Sequence, residues 1–80
     1  MRLDKFLKVS RIIKRRTVAN EACDASHVIV NCKSAKASYE VKVNDIIEVT
    51  FGIRTLRIRV RSIVDSTKKA DASEMYDVLS

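Results

Sequence analysis

Residues 1–17 read MRLDKFLKVSRIIKRRT, and they place Arg2, Lys5, Lys8, Arg11, Lys14, Arg15 and Arg16 against a single acid, Asp4. Seven positive charges less one negative give +6, equal to the net charge of +6 on the whole chain. At about 100° per residue, Lys5, Lys8 and Arg11 form one stripe of a helix, and Leu3, Phe6, Leu7 and Ile13 form the opposite one. The segment can bury one side while showing a row of cations to a polyanion, nucleic acid above all. These cations are not interleaved with acids as helix-stabilising pairs would be.

Working outward, the first helix is expected from Leu3 to Ile12 or Ile13. The cluster Lys14-Arg15-Arg16-Thr17 marks a turn and the start of a second helix, Thr17 to Ala25. Its small face is Val18, Ala19, Ala22, Cys23 and Ala25, which suits close packing on the first. From His27 the period changes to two. Strands are expected at Val28–Val30, around Tyr39–Val43, at Ile46–Phe51 up to the lone Gly52, and from Thr55 to Val64. The last alternates Leu56, Ile58 and Val60 with Arg57, Arg59 and Arg61. The predicted fold class is α+β: two N-terminal helices on a small, mainly antiparallel sheet. A domain over 1–64 precedes a polar tail over 65–80, with a short helix from a Ser73 cap.

Composition narrows the function. Eighty residues form one small domain, burying roughly 60% of the unfolded surface, with a stability of only a few kcal/mol, roughly 3–5. With two Phe, two Tyr and no Trp, the core is aliphatic, and Tyr39 and Phe51 are expected within it. No apolar run approaches the roughly 20 residues of a membrane span, and no signal-peptide core is seen. Cys23 and Cys32 are too few for a disulfide framework, so the expected compartment is the reducing cytoplasm.

Catalytic and metal chemistry find little footing. Ser, Asp and one His occur without a nucleophile elbow or a glycine-rich phosphate loop, and the reading is a non-enzyme without cofactors. Cys23, His27 and Cys32 fall short of the four paired ligands of structural zinc. The basic corner is different. Lys14, Arg15 and Arg16 sit where helix amides and dipole favour phosphate, and Thr17 and Asn20 add neutral donors. Lys33, Lys36 and Lys42 could extend the track. The row Arg54, Arg57, Arg59 and Arg61 fits either RNA contact or protection of a sheet edge. With few stacking aromatics, recognition of structured RNA by shape and phosphate is favoured. Neutralising about five phosphates would give a log K against log salt slope of roughly −3.5 to −4.5.

The phrases R-L-D-K-F-L (2–7), K-R-R-T (14–17), V-x-V-N (28–31) and K-A-S (36–38) resemble the RNA-binding domain first seen in bacterial ribosomal protein S-four, the alpha-L motif. Within that family the chain is most similar to the small free-standing RqcP (YabO) group, a relative of heat-shock protein fifteen. T-K-K (67–69) and E-M-Y (74–76) extend the similarity into the tail. The resemblance implies a non-catalytic, monomeric factor on the large ribosomal subunit. It would contact ribosomal RNA and peptidyl-tRNA, and support RqcH in alanine tailing of stalled chains, without a membrane. By motif, Arg2, Lys5, Arg11, Lys14, Arg15, Arg16 and Thr17 would face RNA, and Asp4 would order Arg2 or touch a partner. Competing readings are a ribosome assembly factor or other structured-RNA binder, a protein- or membrane-surface module, and a fragment of a pseudouridine synthase. Where the family has turn glycines this chain has Ser26, Cys32 and Asn44. The turns are therefore expected to be widened, or else strained by about 1 kcal/mol at Ser and Cys.

Overall fold

The computed structural model describes residues 1–63 and 74–79. The strand expected to run to Val64 ends at Val60, and residues 61–63 leave the ladder as the Arg61 and Ser62 amides both turn to the Met75 carbonyl. Val64 itself, the tail boundary at Asp65 and the Ser73 cap lie outside the described residues. Helix α1 is Leu3–Val9 and α2 is Arg16–Asp24. Strands follow at Val28–Val30 (β1), Lys33–Ser34 (β2), Ile46–Phe51 (β3), Arg54–Val60 (β4) and Tyr76–Val78 (β5). They form one sheet in the order β2-β1-β3-β4-β5, with every neighbouring pair antiparallel. This is the expected architecture of two helices on a small antiparallel sheet.

Strand alternation sets the core. Val28 pairs with Val49, Val30 with Ile47, and Ile47 with Ile58, so one face of the sheet is continuously apolar. Leu3, Phe6 and Leu7 of α1 are fully buried in the same cluster, together with Ala19 and Cys23 of α2 and Met75. Burying each larger side chain contributes about 1.5–3 kcal/mol. The core is thus aliphatic apart from Phe6. Tyr39 only partly joins it, and Phe51, expected inside, is 45% exposed because it sits at the open end of β3.

Several element boundaries differ from expectation for backbone reasons. α1 stops at Val9, not Ile12 or Ile13, because Arg11 turns left-handed (φ 64). Its amide donates to the Lys8 carbonyl, and the Ile13 amide donates to that of Leu7. Ile13 still reaches the core from this turn. α2 buries a narrower stripe than its pattern suggested, leaving Val18 and Ala25 exposed. Residues 39–43 are no strand. Their partner is the chain start, through one bridge between Arg2 and Glu40, Leu3 N–H to the Tyr39 carbonyl and Val41 N–H to that of Met1.

The expected C-terminal helix is also overturned: residues 76–78 are a strand. Tyr76 pairs with Val60 and Val78 with Ile58, while Met75 is fully buried. A helix of one or two turns leaves most of its end groups unsatisfied and is marginal in water. The free edge of β4 instead pairs the backbone groups of Tyr76–Val78 that face it.

The glycine-poor turns keep the tight geometry and carry the strain. Ser26 (φ 62) follows α2 with its amide on the Cys23 carbonyl, and the His27 amide reaches that of Ala22, the paired bonds of a Schellman ending. Asn31 (φ 52) and Cys32 (φ 67) are the two central residues between Val30 and Lys33, a type I′ hairpin that normally prefers Asn-Gly. Asn44 (φ 77) occupies the left-handed position of the 42–45 turn. The turns are not widened.

Candidate nucleic-acid interface

The site is built on the contact between the two helices, and its organising group is an acid. Asp4 is only 2% exposed. One carboxylate oxygen lies 3.3 Å from Arg2 Nε and accepts from the Lys5 amide at 2.9 Å. The other accepts from Arg16 Nε at 3.2 Å and Asn20 Nδ2 at 3.5 Å. Burial pushes the Asp4 carboxyl up, but the hydrogen bonds from Arg16, Asn20 and the Lys5 amide bring it below its ordinary value. Asp4 is therefore a charged clamp holding one arginine from each side of the helix pair. Both arginine side chains remain about half exposed, so their outer N–H groups can still meet a ligand.

The other corner cations surround this clamp. Lys8, Lys14 and Arg15 are exposed and make no ion pair among the described residues. Arg11 is exposed and Lys5 half-buried. Lys8, Val9, Arg11 and Lys14 line a concavity of about 480 Å³ where α1 ends. A second, of about 360 Å³, lies between Asp4, Arg16, Thr17, Asn20 and Glu21. α2 begins after Arg15 without a side-chain cap. Its first i→i−4 bond is Ala19 N–H to the Arg15 carbonyl, so the preceding amides point outward beside the cations. At the start of α1 the amides of Leu3 and Asp4 are taken by the Tyr39 and Ala37 carbonyls.

Lys33 and Lys36 lie elsewhere, on a groove of about 600 Å³ between the β1–β2 hairpin and residues 35–39. The groove is braced by a network that sequence reasoning missed. Asp45 accepts from Asn31 Nδ2 (3.0 Å), Tyr39 O–H (2.8 Å) and the Lys42 amide (2.9 Å). Asn31 Oδ1 accepts from the Ile46 amide. Burial raises the Asp45 carboxyl, but these donors and Lys42 hold it below its ordinary value. The Asp45 hydrogen bond pushes the Tyr39 hydroxyl above its own. The one available signal was Asn31 closing V-x-V-N; Tyr39 was masked by an apolar alternation that mimicked a strand.

The second basic row is different. Arg57 pairs with Glu48 at 3.1 Å, and Asp77 of β5 holds Arg59 (3.0 Å) and Arg61 (3.6 Å). Three cations there face two acids, on the sheet face away from the helices. Arg54, at the β3–β4 turn, makes no ion pair among the described residues. The cysteines are apart in kind: Cys23 is buried and Cys32 exposed. Burial, with the fields of Asp4 and Asp24, pushes the Cys23 thiol up to about 11, so it stays protonated and inert. Among the described residues, no three His, Cys, Asp or Glu side chains converge on a metal position, and no helix is long and apolar enough to cross a membrane.

The S4 domain family pattern matches residues 1–47, the span containing both helices and the braced groove. A Streptococcus pneumoniae protein named RQC P-site tRNA stabilizing factor is 55% identical over 80 residues, covering 100% of this chain and 91% of that protein. One of the same name from Bacillus subtilis is 49% identical, over 99% and 92%. The trimeric structure of Vibrio cholerae heat shock protein 15 superposes with a TM-score of 0.90 at 28% identity, covering 98% of this chain and 80% of that one.

Proposed function

As the chain belongs to the S4 domain family, and within it to the family of the RQC P-site tRNA stabilizing factors, we propose that it binds structured RNA in ribosome-associated quality control. Its target is the large ribosomal subunit carrying a stalled peptidyl-tRNA, where it contacts ribosomal RNA and tRNA together. There it supports RqcH in alanine tailing as a monomeric, non-catalytic, cytoplasmic factor.

The observation that carries this reading is the Asp4 clamp. It aims Arg2 and Arg16 outward from the helix pair, with Lys8, Arg11, Lys14 and Arg15 around them. A solvated charged face needs no buried acid to orient it; a surface that must match a fixed phosphate pattern does. Lys5, Thr17 and Asn20 complete the contact at the helix start. Lys33 and Lys36 extend it along the hairpin.

Sedimentation after induced stalling tests the reading, comparing the wild type with Lys14→Glu/Arg15→Glu. Those two positions touch no acid, whereas reversing Arg16 would put a second carboxylate beside Asp4. Wild type should collect on free large subunits that hold peptidyl-tRNA, and the reversal should release it. Even spread over intact ribosomes, or accumulation on immature particles, would favour a housekeeping or assembly role instead.

A further inference from the structure

We propose that the groove between the β1–β2 hairpin and residues 35–39 is a subsite for one unstacked nucleotide of the bound RNA; this rests on the RNA-binding reading above. At about 600 Å³ it is larger than either concavity of the helical corner, and within the roughly 300–1,000 Å³ of small-ligand sites. Its lining divides by chemistry. Lys33 and Lys36 supply cations for a phosphate, the Ser38 hydroxyl supplies a donor and acceptor for a ribose or a base edge, and Ser34 Oγ, which donates to Ser26 Oγ at 3.2 Å, adds an acceptor. Val30, Ala35 and the Tyr39 ring supply an apolar wall.

The wall is built to stay in place. Tyr39 is fixed at both ends: its hydroxyl donates to Asp45 at 2.8 Å, and its carbonyl accepts the Leu3 amide at 2.8 Å. A ring held this way can receive a base without first losing its own freedom. The type I′ turn that also lines the groove is fixed by Asn31 to Asp45 and to the Ile46 amide. The Tyr39–Leu3 bond also ties the backbone of the groove to that of the corner, since Leu3 lies between Arg2 and Asp4. A base inside a duplex cannot reach such a wall, whereas an unpaired loop or bulge base can.

Two measurements on the full chain test this. In amide NMR titrations, AMP should shift residues 30–39 including Val30, Ala35 and Tyr39, and inorganic phosphate should reach only Lys33 and Lys36 and their neighbours. AMP shifts confined to the helical corner, or equal shifts with phosphate, would overturn the proposal. In binding assays, an RNA hairpin with an unpaired loop should bind about tenfold tighter than a blunt duplex of the same stem, the worth of one stacked base. Tyr39→Leu should erase that preference and leave duplex binding unchanged, while Tyr39→Phe, which keeps the ring but loses its anchor on Asp45, should retain a reduced preference. If both RNAs bind equally well to wild type, the subsite is refuted and the RNA-binding reading stands. If neither RNA binds, that reading falls, and the AMP titration alone decides the groove.

Discussion

Cys32→Gly should make this protein more stable. Cys32 sits at the second central position of a type I′ hairpin with φ 67, and its side chain is exposed. A left-handed conformation costs a residue with a Cβ about 1–2 kcal/mol. Glycine removes that strain but loses about 0.5–1 kcal/mol more backbone freedom on folding. The balance is a gain of about 0.5–1 kcal/mol, which for a domain of this size raises Tm by about 3–6 °C. Cys32→Ala, which retains the Cβ, should leave Tm near its original value. Both variants are to be melted by circular dichroism in reductant, alongside urea titrations in which the midpoint moves at constant slope. Equal melting temperatures for the Gly and Ala variants would refute the strain argument. RNA affinity should not change, because the turn keeps its shape.

Three other outcomes are expected. Lys8→Gln, Lys14→Gln and Arg15→Gln should each weaken RNA binding regardless of sequence and flatten the log K against log salt slope by roughly 0.7–0.9. Arg57→Gln, already paired with Glu48, should leave the slope nearly unchanged; an equal loss would make the outer sheet face part of the site. Asp4→Asn keeps the side chain's shape but removes the charge shared by Arg2 and Arg16, costing about 1–2 kcal/mol once their half exposure is allowed for. RNA affinity should fall although the corner gains positive charge, and a rise in affinity would show that Asp4 does not orient the arginines. Asp4 and Asp45 are both held below their ordinary value of 3.8. Their stabilisation is therefore complete above that value and disappears as pH falls through the lower folded values. Tm should be flat between about pH 5 and 7 and drop below about pH 4; a drop centred near pH 6 would refute the assignment to these two carboxyls.

Much of this was legible in the sequence because it obeys short-range periodicity. Leu3, Phe6 and Leu7 recur at helical spacing and are the core of α1; Ile46–Phe51 alternates and is β3. The basic corner was legible because charge clusters survive any folding. Other features depend on partners distant in the chain. Asp4 reads as one acid among bases, and only the approach of α2 brings Arg16 and Asn20 to it. Tyr39, Val41 and Val43 alternate like a strand, yet the backbone available to them is the chain start, not a sheet edge. Met75, Tyr76 and Val78 have a spacing compatible with a helix, and the open side of β4 decides for a strand. Cys32 gave no local sign that its turn would stay tight, since the hairpin's register, fixed by Val30 and Lys33, imposes the left-handed dihedral.

The pairing of the chain start with residues 37–41 also has a consequence for the order in which the protein becomes active. Helix α1 has seven residues, too few to persist alone. Its first amides are held by Ala37 and Tyr39, and the ammonium of Met1 meets Glu40, thirty-nine positions on. During synthesis the basic segment therefore emerges before residues 37–41, as an unoriented polycation with only non-specific affinity for RNA. It gains its orientation once the hairpin and loop have followed. Recognition thus matures after the charge that drives it. RNA that selects the oriented corner must also stabilise the fold, by about 2.7 kcal/mol at a hundredfold excess over Kd.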